Sequence, residues 1–197
     1  MSSLARSLSY YKKIAAFSSI ALLASFFLHS ESLSASEATL SHHQNMRIPL
    51  GLAWGDPPQN LENMAKPGGF TITNQEERGD KTIITVHGLV GTALQETLFT
   101  YHKSGLVEIE YRYGNATWKP QNYQDFFDSF RRMYDGKYGS GNPLLQHTSK
   151  KNDPSGITTS LTGYEWNQAS CNLDLFYFTA EGSNQSYRLI SLHYKAP

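Results

Sequence analysis

The hydrophobic pattern changes period several times along the chain, and each change marks an element. Ile14 to Leu28 runs apolar through Ala15, Ala16, Phe17, Ile20, Leu22, Leu23, Phe26 and Phe27, behind Arg6, Lys12 and Lys13. A charged start before an apolar run of about 15 residues has the form of a secretory signal peptide, and the run is short for a membrane span. Small residues at Ser34, Ala35, Ser36 and Ala38 suit cleavage after Ser36 or Ala38. The competing reading keeps the segment as an uncleaved anchor, with Lys12 and Lys13 on the cytoplasmic side. Residues 37–47 are polar and unpatterned and read as a flexible leader behind a signal at 1–36.

From residue 48 the pattern predicts folded elements. Asp56-Pro57-Pro58-Gln59 is a helix start: Asp as cap, Pro in the first turn, Gln completing a capping box. Leu61 and Met64 make its stripe, and Lys66-Pro67-Gly68-Gly69 stops it. Strand alternation follows at 70–73, 81–86 and 96–113, the last a hairpin reversing at Ser104-Gly105. In that hairpin Val107, Ile109, Tyr111 and Tyr113 point one way, and Glu108, Glu110 and Arg112 the other. Tyr123, Phe126, Phe127, Phe130, Met133 and Tyr134 recur at helical spacing opposite Gln124, Asp125, Asp128 and Arg132, with Pro120 near the start and Gly136 as the stop. After a polar loop at 150–156, strands resume at 157–166, 172–179 and 187–194, the middle one apolar on both faces and therefore central. The expected fold class is α+β: an antiparallel sheet with helices packed on one face, forming a single domain over 48–197. Its halves, 48–115 and 116–197, each read as a helix followed by strands, the order of a tandem repeat.

Composition narrows the partners. The chain balances 17 Lys+Arg against 17 Asp+Glu, and removal of residues 1–36 takes away Arg6, Lys12, Lys13 and Glu31, leaving 14 against 16. A net charge of −2 supplies no positive surface for nucleic acid. The one cysteine, Cys171, lies far from the signal, so no lipid anchor is expected and no disulfide staples the core. At the head of an apolar strand it reads as a small buried hydrophobe. The expected location is periplasmic or secreted, with no membrane association once the signal is cleaved.

Several landmarks carry a resemblance. Gly51-Leu-Ala-Trp54-Gly55 before the first helix, Lys137-Tyr138-Gly139 with Pro143, Glu165-Trp166 followed by Leu173-Asp-Leu175, and Leu192-His-Tyr194 resemble an uncharacterised family of small exported bacterial α+β proteins. More distantly, the helix-then-strands plan is similar to the β-lactamase inhibitor protein and the small outer-membrane assembly lipoproteins. The resemblance implies a binding protein that performs no chemistry, without the lipid-bearing cysteine of the lipoproteins.

The motifs agree with that expectation. Gly136-Lys-Tyr-Gly139-Ser-Gly141 follows a helix, whereas phosphate loops and G-x-S-x-G elbows follow strands, so it reads as a helix exit. His87-Gly88-Leu-Val-Gly91 reads as a turn. The histidines lack H-x-x-x-H spacing, and His42-His43 in the leader is at most a loose metal pair, so no metal and no cofactor are expected. The carboxylate pairs Glu108/Glu110 and Asp125/Asp128 read as solvated faces.

Aromatic residues make up 13% of the chain. The Phe residues of the second helix read as core, while Trp54, Trp118, Trp166, Tyr111 and Tyr113 are the candidate recognition surface. The leading expectation is a non-enzymatic binding module for a protein, with carbohydrate as a second ligand class. The alternative is a periplasmic hydrolase of cell-envelope or carbohydrate substrates with its site assembled from remote residues. The signal reading has a direct check: N-terminal sequencing of the exported protein starts at Glu37 or Thr39, and an intact Met1 contradicts it.

Overall fold

The computed structural model describes residues 45–148, 156–183 and 185–197. The signal segment, most of the leader with His42-His43, and most of the loop at 150–156 lie outside the described residues. Among the described residues the fold is α+β, with a short 3₁₀ turn at Pro49–Gly51, two helices and eight antiparallel strands. In chain order these are α1 (Pro58–Gly68), β1 (Thr71–Arg78), β2 (Lys81–His87), β3 (Leu94–His102), β4 (Gly105–Tyr113), α2 (Pro120–Tyr138), β5 (Asn142–Thr148), β6 (Thr158–Gln168), β7 (Cys171–Glu181) and β8 (Ser186–Lys195). One sheet holds every strand in the order β1-β2-β3-β4-β8-β7-β6-β5. Each helix thus precedes a four-stranded meander, and the two meanders meet along β4 and β8.

The register shows how the alternation builds the core. Ile84, Phe99, Ile109, Tyr194 and Leu173 are successive cross-strand partners, as are Val86, Thr97, Tyr111, Leu192, Leu175 and Tyr164 in the adjacent row. Directly opposed residues share a face, so these rows lie on one side of the sheet. Leu61 of α1 is buried with Ile84, Val86, Phe99, Leu106 and Ile109. Tyr123, Phe127 and Tyr134 of α2 are buried with Trp166, Leu173, Leu175, Ile190 and Leu192. Tyr111, Tyr194 and Trp54 pack against both clusters. Rings on α2 pack along its length, Phe126 edge-on to Phe130 and Tyr134 stacked on Tyr138, and each such pair contributes about 0.5–1.5 kcal/mol beyond its burial.

Four local readings change. Asp56 does not cap α1: its Oδ2 accepts from Ala53 N–H (2.8 Å), tying the preceding loop, and Pro57 is the cap residue with no side-chain bond. The helix α2 runs past Gly136 to Tyr138 and ends at Gly139, whose φ of 86° is a left-handed position that glycine adopts without strain. Met133, expected on the buried stripe, is exposed. The strand β5 is additional to those expected; Pro143 suppresses its strand signal, and a proline is tolerated there because β5 is an edge strand.

The segment before α1 straps the halves together. Gly55 N–H donates to Leu106 O and Leu106 N–H to Asp56 O, both at 2.9 Å, which lays the loop against the start of β4. Trp54 Nε1 donates to the Ser170 carbonyl in the β6–β7 turn (2.9 Å), and Ser170 Oγ donates to the Met46 carbonyl (2.8 Å). Met46 itself is 2% exposed within the α2 cluster, so packing begins before Ile48.

Replacing Leu61 by Ala removes the side chain that α1 buries most deeply. The expected cost is about 2–5 kcal/mol. In urea denaturation the midpoint falls while the slope m is unchanged.

Candidate functional site

The five aromatic residues expected to form a recognition surface are all occupied in packing. Trp166 is 3% exposed, and its Nε1 donates to Gly139 O (3.0 Å) and Asp135 Oδ1 (3.2 Å). That latch explains the helix exit: Asp135 Oδ1 also accepts Gly141 N–H (2.8 Å), and a Cβ at Gly141 would lie 2.6 Å from the Trp166 ring. Trp54 is partly buried in the interhalf strap, and Trp118 sits 5.0–5.1 Å from the Phe126 and Tyr123 rings. Tyr111 and Tyr113 stack on each other at 6.4 Å, Tyr113 under Phe126 and Phe130. None of the five is exposed: Trp166 is buried, and Trp54, Trp118, Tyr111 and Tyr113 are partly buried against the core clusters.

Chemistry gathers instead on the opposite face, across the junction of the two meanders. Alternation along β4 sends Glu108, Glu110 and Arg112 there, and β8 contributes Ser191, His193 and Lys195. His193 lies directly between Glu110 of β4 and Asp174 of β7 in the register. Its Nδ1 is 2.8 Å from Glu108 Oε1, and its Nε2 is 2.9 Å from Ser191 Oγ and 3.9 Å from Glu110 Oε1. Arg112 donates through Nε to Glu110 Oε1 (2.6 Å) and through Nη1 to Glu96 Oε1 on β3 (2.9 Å). His87 Nε2 of β2 stands 3.6 Å from Glu96 Oε2. Lys195 Nζ holds Asp174 Oδ2 at 2.6 Å. A chain of paired groups therefore runs across β2, β3, β4 and β8, with a second pair carrying it to β7.

The groups nearest His193 are largely covered, while His87 at the end of the chain is half exposed. The His193 side chain is 16% exposed, with the Phe176 ring edge-on at 5.3 Å. Asp174 and Ser191 are buried. Glu108 and Glu110, expected to be solvated, are paired and mostly covered; Asp125 and Asp128 are solvated as expected, held by Gln121 and Gln124 one turn earlier. Burial alone would raise the Glu108 carboxyl; the hydrogen bond and charge of His193, with Lys195 and Lys81, outweigh it and hold Glu108 below the usual carboxylate range. Burial likewise works against the Arg112 charge, and its bonds to Glu110 and Glu96 more than compensate.

The order Ser191 Oγ, His193 Nε2, His193 Nδ1, Glu108 matches the connectivity of a general-base relay in one histidine tautomer. The strand β8 is paired on both sides, with β4 and with β7, so its backbone N–H groups are drawn into ladder bonds rather than left to face an oxyanion. Among the described residues no group of three or more His, Cys, Asp or Glu is placed to hold a metal ion. Cys171 is buried, and burial raises its thiol to about 11, so it stays protonated at neutral pH. No helix among the described residues is long and apolar enough to cross a membrane.

Apolar side chains border the charged groups on the same face. Leu161, Phe178 and Leu189 are direct partners across β6, β7 and β8. Phe176 lies in the next row, its ring over Gly163, where a Cβ would approach to 2.7 Å. The sequence carries half of this site's signal in the alternating strings Glu108-x-Glu110-x-Arg112 and Ser191-x-His193-x-Lys195. Their pairing across some 80 positions is tertiary information that neither string contains.

Comparison of the chain with known protein families, with curated proteins and with solved structures finds no match.

Because Glu108 is depressed in the folded state, its contribution to stability is present above the unfolded carboxylate value near ~4.3 and is lost as pH falls through the folded value. Replacing His193 by Gln removes the principal cause of that depression. The variant is expected to be less stable than the wild type at pH 7 and to lose less stability on acidification. Urea unfolding between about pH 2 and pH 7 checks this; parallel curves for the two proteins contradict it.

Proposed function

We propose that the chain is an exported, non-enzymatic binding module that takes a protein partner on the sheet face opposite the two core clusters. In this reading both helices cover one face, an arrangement supported by Tyr111, Tyr194 and Trp54, each packed against both clusters. The two halves are then two copies of one helix-and-meander plan, a reading supported by the mirrored strand order. The β-lactamase inhibitor protein and the outer-membrane assembly lipoproteins are its architectural parallels, and the segment at 1–36 supports export.

The observation that carries the proposal is the composition of the opposite face. Phe176, Phe178, Leu161 and Leu189 form an apolar patch immediately beside the Glu108, Glu110, Arg112 and His193 network. Aromatic anchors beside charged groups already paired with one another are the make-up of a protein-binding hot spot, since they are desolvated cheaply and reject wrongly charged partners. The aromatic residues involved are not those singled out from the sequence. A hydrolase is the second reading, favoured by the Ser191, His193 and Glu108 relay and opposed by the ladder-bound N–H groups around it.

The test is capture from an envelope extract, purification of the captured protein, and calorimetric titration against the wild type and Phe178→Lys. Phe178→Lys is expected to weaken binding by about 100-fold with an unchanged unfolding midpoint, while Glu76→Lys, outside the patch, leaves binding intact. Equal binding by Phe178→Lys overturns the proposal, as does turnover of an envelope substrate that Ser191→Ala abolishes.

A further inference from the structure

The strap ahead of α1 is anchored by a methionine. Met46 is 2% exposed within the cluster that also holds Tyr134, Trp166, Cys171 and Leu173, and its carbonyl accepts from Ser170 Oγ at 2.8 Å. Its neighbours Asn45 and Arg47 are exposed, and residues 45–48 belong to no helix or strand. Among the described residues the seat of Met46 therefore rests on side-chain burial and the Ser170 bond, with no ladder or helix turn behind it.

A segment held in this way opens locally at far lower cost than the sheet beneath it. The sulfur of Met46 is thus covered in the closed state and reaches solvent whenever the strap lifts. Met64 and Met133 complete the methionines among the described residues, and they frame the comparison. Met64 is partly buried on α1 against the other core cluster, and Met133 on α2 is 39% exposed and meets solvent without any opening. Neither holds a strap. Cys171 shares the Met46 cluster, but burial raises its thiol to about 11 and keeps it in the unreactive protonated form at neutral pH.

We propose that Met46 is a modification site for hydrogen peroxide, and that its sulfoxide holds the strap out of its seat. The peroxide O–O bond breaks, one oxygen bonds to Met46 Sδ, and the other leaves as water with both peroxide protons. Sulfur is oxidised by two electrons and the peroxide is reduced by two. The product is a polar side chain, and returning it among Cys171, Leu173 and Trp166 would strip its water. With the anchor out, Ser170 Oγ loses the Met46 carbonyl, and the Trp54 Nε1 bond to the Ser170 carbonyl is left to tie the strap to the β6–β7 turn. Enzymatic reduction of the sulfoxide restores the thioether, which makes the release reversible. The proposal does not depend on the sheet face binding a partner.

Trypsin reads the strap directly, because Arg47 adjoins Met46 and a protease needs several residues around its bond to be opened. The exported protein is treated with hydrogen peroxide at pH 7, and peptide mass spectrometry follows each methionine. Met46 is expected to convert while the far-ultraviolet circular dichroism is unchanged, and the cut after Arg47 to speed at least ~10-fold. Methionine sulfoxide reductases are expected to restore the slow cut. Met46→Gln, polar without oxidation, is expected to be cut fast in the absence of peroxide. Met46→Leu is expected to stay slow in its presence, and Met133→Leu to respond as the wild type does. Urea midpoints establish that the variants are folded, and the reductase reversal on the wild type carries the test if Met46→Leu is not. A Met46 thioether that persists after Met64 and Met133 are converted overturns the proposal, as does a Met46 sulfoxide that speeds the cut less than ~10-fold. Equal acceleration in Met46→Leu also overturns it, by assigning the effect to another residue.

Discussion

A single ladder, β4 against β8, joins the two four-stranded meanders, and the rest of the structure is arranged around keeping it closed. An antiparallel pair of six residues is a modest join for two halves of this size. It is reinforced on both faces. On the core side Tyr111 and Tyr194 pack edge to face at 6.0 Å across the ladder, and Tyr194 meets Tyr134 of α2 hydroxyl to hydroxyl at 3.2 Å. On the other side His193 links the strands through Glu108 and Glu110. The loop carrying Trp54 adds a third tie from α1 to the β6–β7 turn.

The reinforcement differs in kind on the two faces. Aromatic contacts are tolerant of small shifts and nearly independent of pH, whereas the network opposite them depends on the Glu108 carboxylate staying charged and on distances near 2.8 Å. Each acid in it is held by a neighbour: Glu96 and Glu110 by Arg112, Glu108 by His193, and Asp174 by Lys195. A buried carboxylate that loses its partner is far more costly than an exposed one, so these residues specify the register of β4, β8 and β7 beyond what their mean attraction contributes. One consequence is that the charged groups stand on the sheet face as an arranged set rather than as independent side chains.

Much of the fold was legible because alternation and helical spacing are local. The α2 stripe, the opposed faces of β4 and the interior place of β7 follow from residues a few positions apart. What was not legible depends on distant partners. Trp54 and Trp166 look like exposed recognition rings until Ser170, Asp135 and Gly139 arrive to satisfy their N–H groups. Glu108 looks solvated until His193 is brought beside it from β8. Asp56 was misread for a nearer reason, because the two prolines that follow move the start of α1 and leave its carboxylate to the loop. The strand β5 was hidden because Pro143 interrupts its pattern, which an edge position permits.

The bond from Ser170 Oγ to the Met46 carbonyl and that from Trp54 Nε1 to the Ser170 carbonyl close loops of more than 110 residues. A chain made from its N-terminus presents Met46 and Trp54 long before the β6–β7 turn exists. The first meander can form its hairpins as it emerges and hold Gly55 and Asp56 against Leu106, yet Trp54 and Met46 have no bond to Ser170 until the β6–β7 turn is made. Completion of the first half is thereby deferred to the second, and a chain truncated before Ser170 would leave Met46 and Trp54 without these bonds.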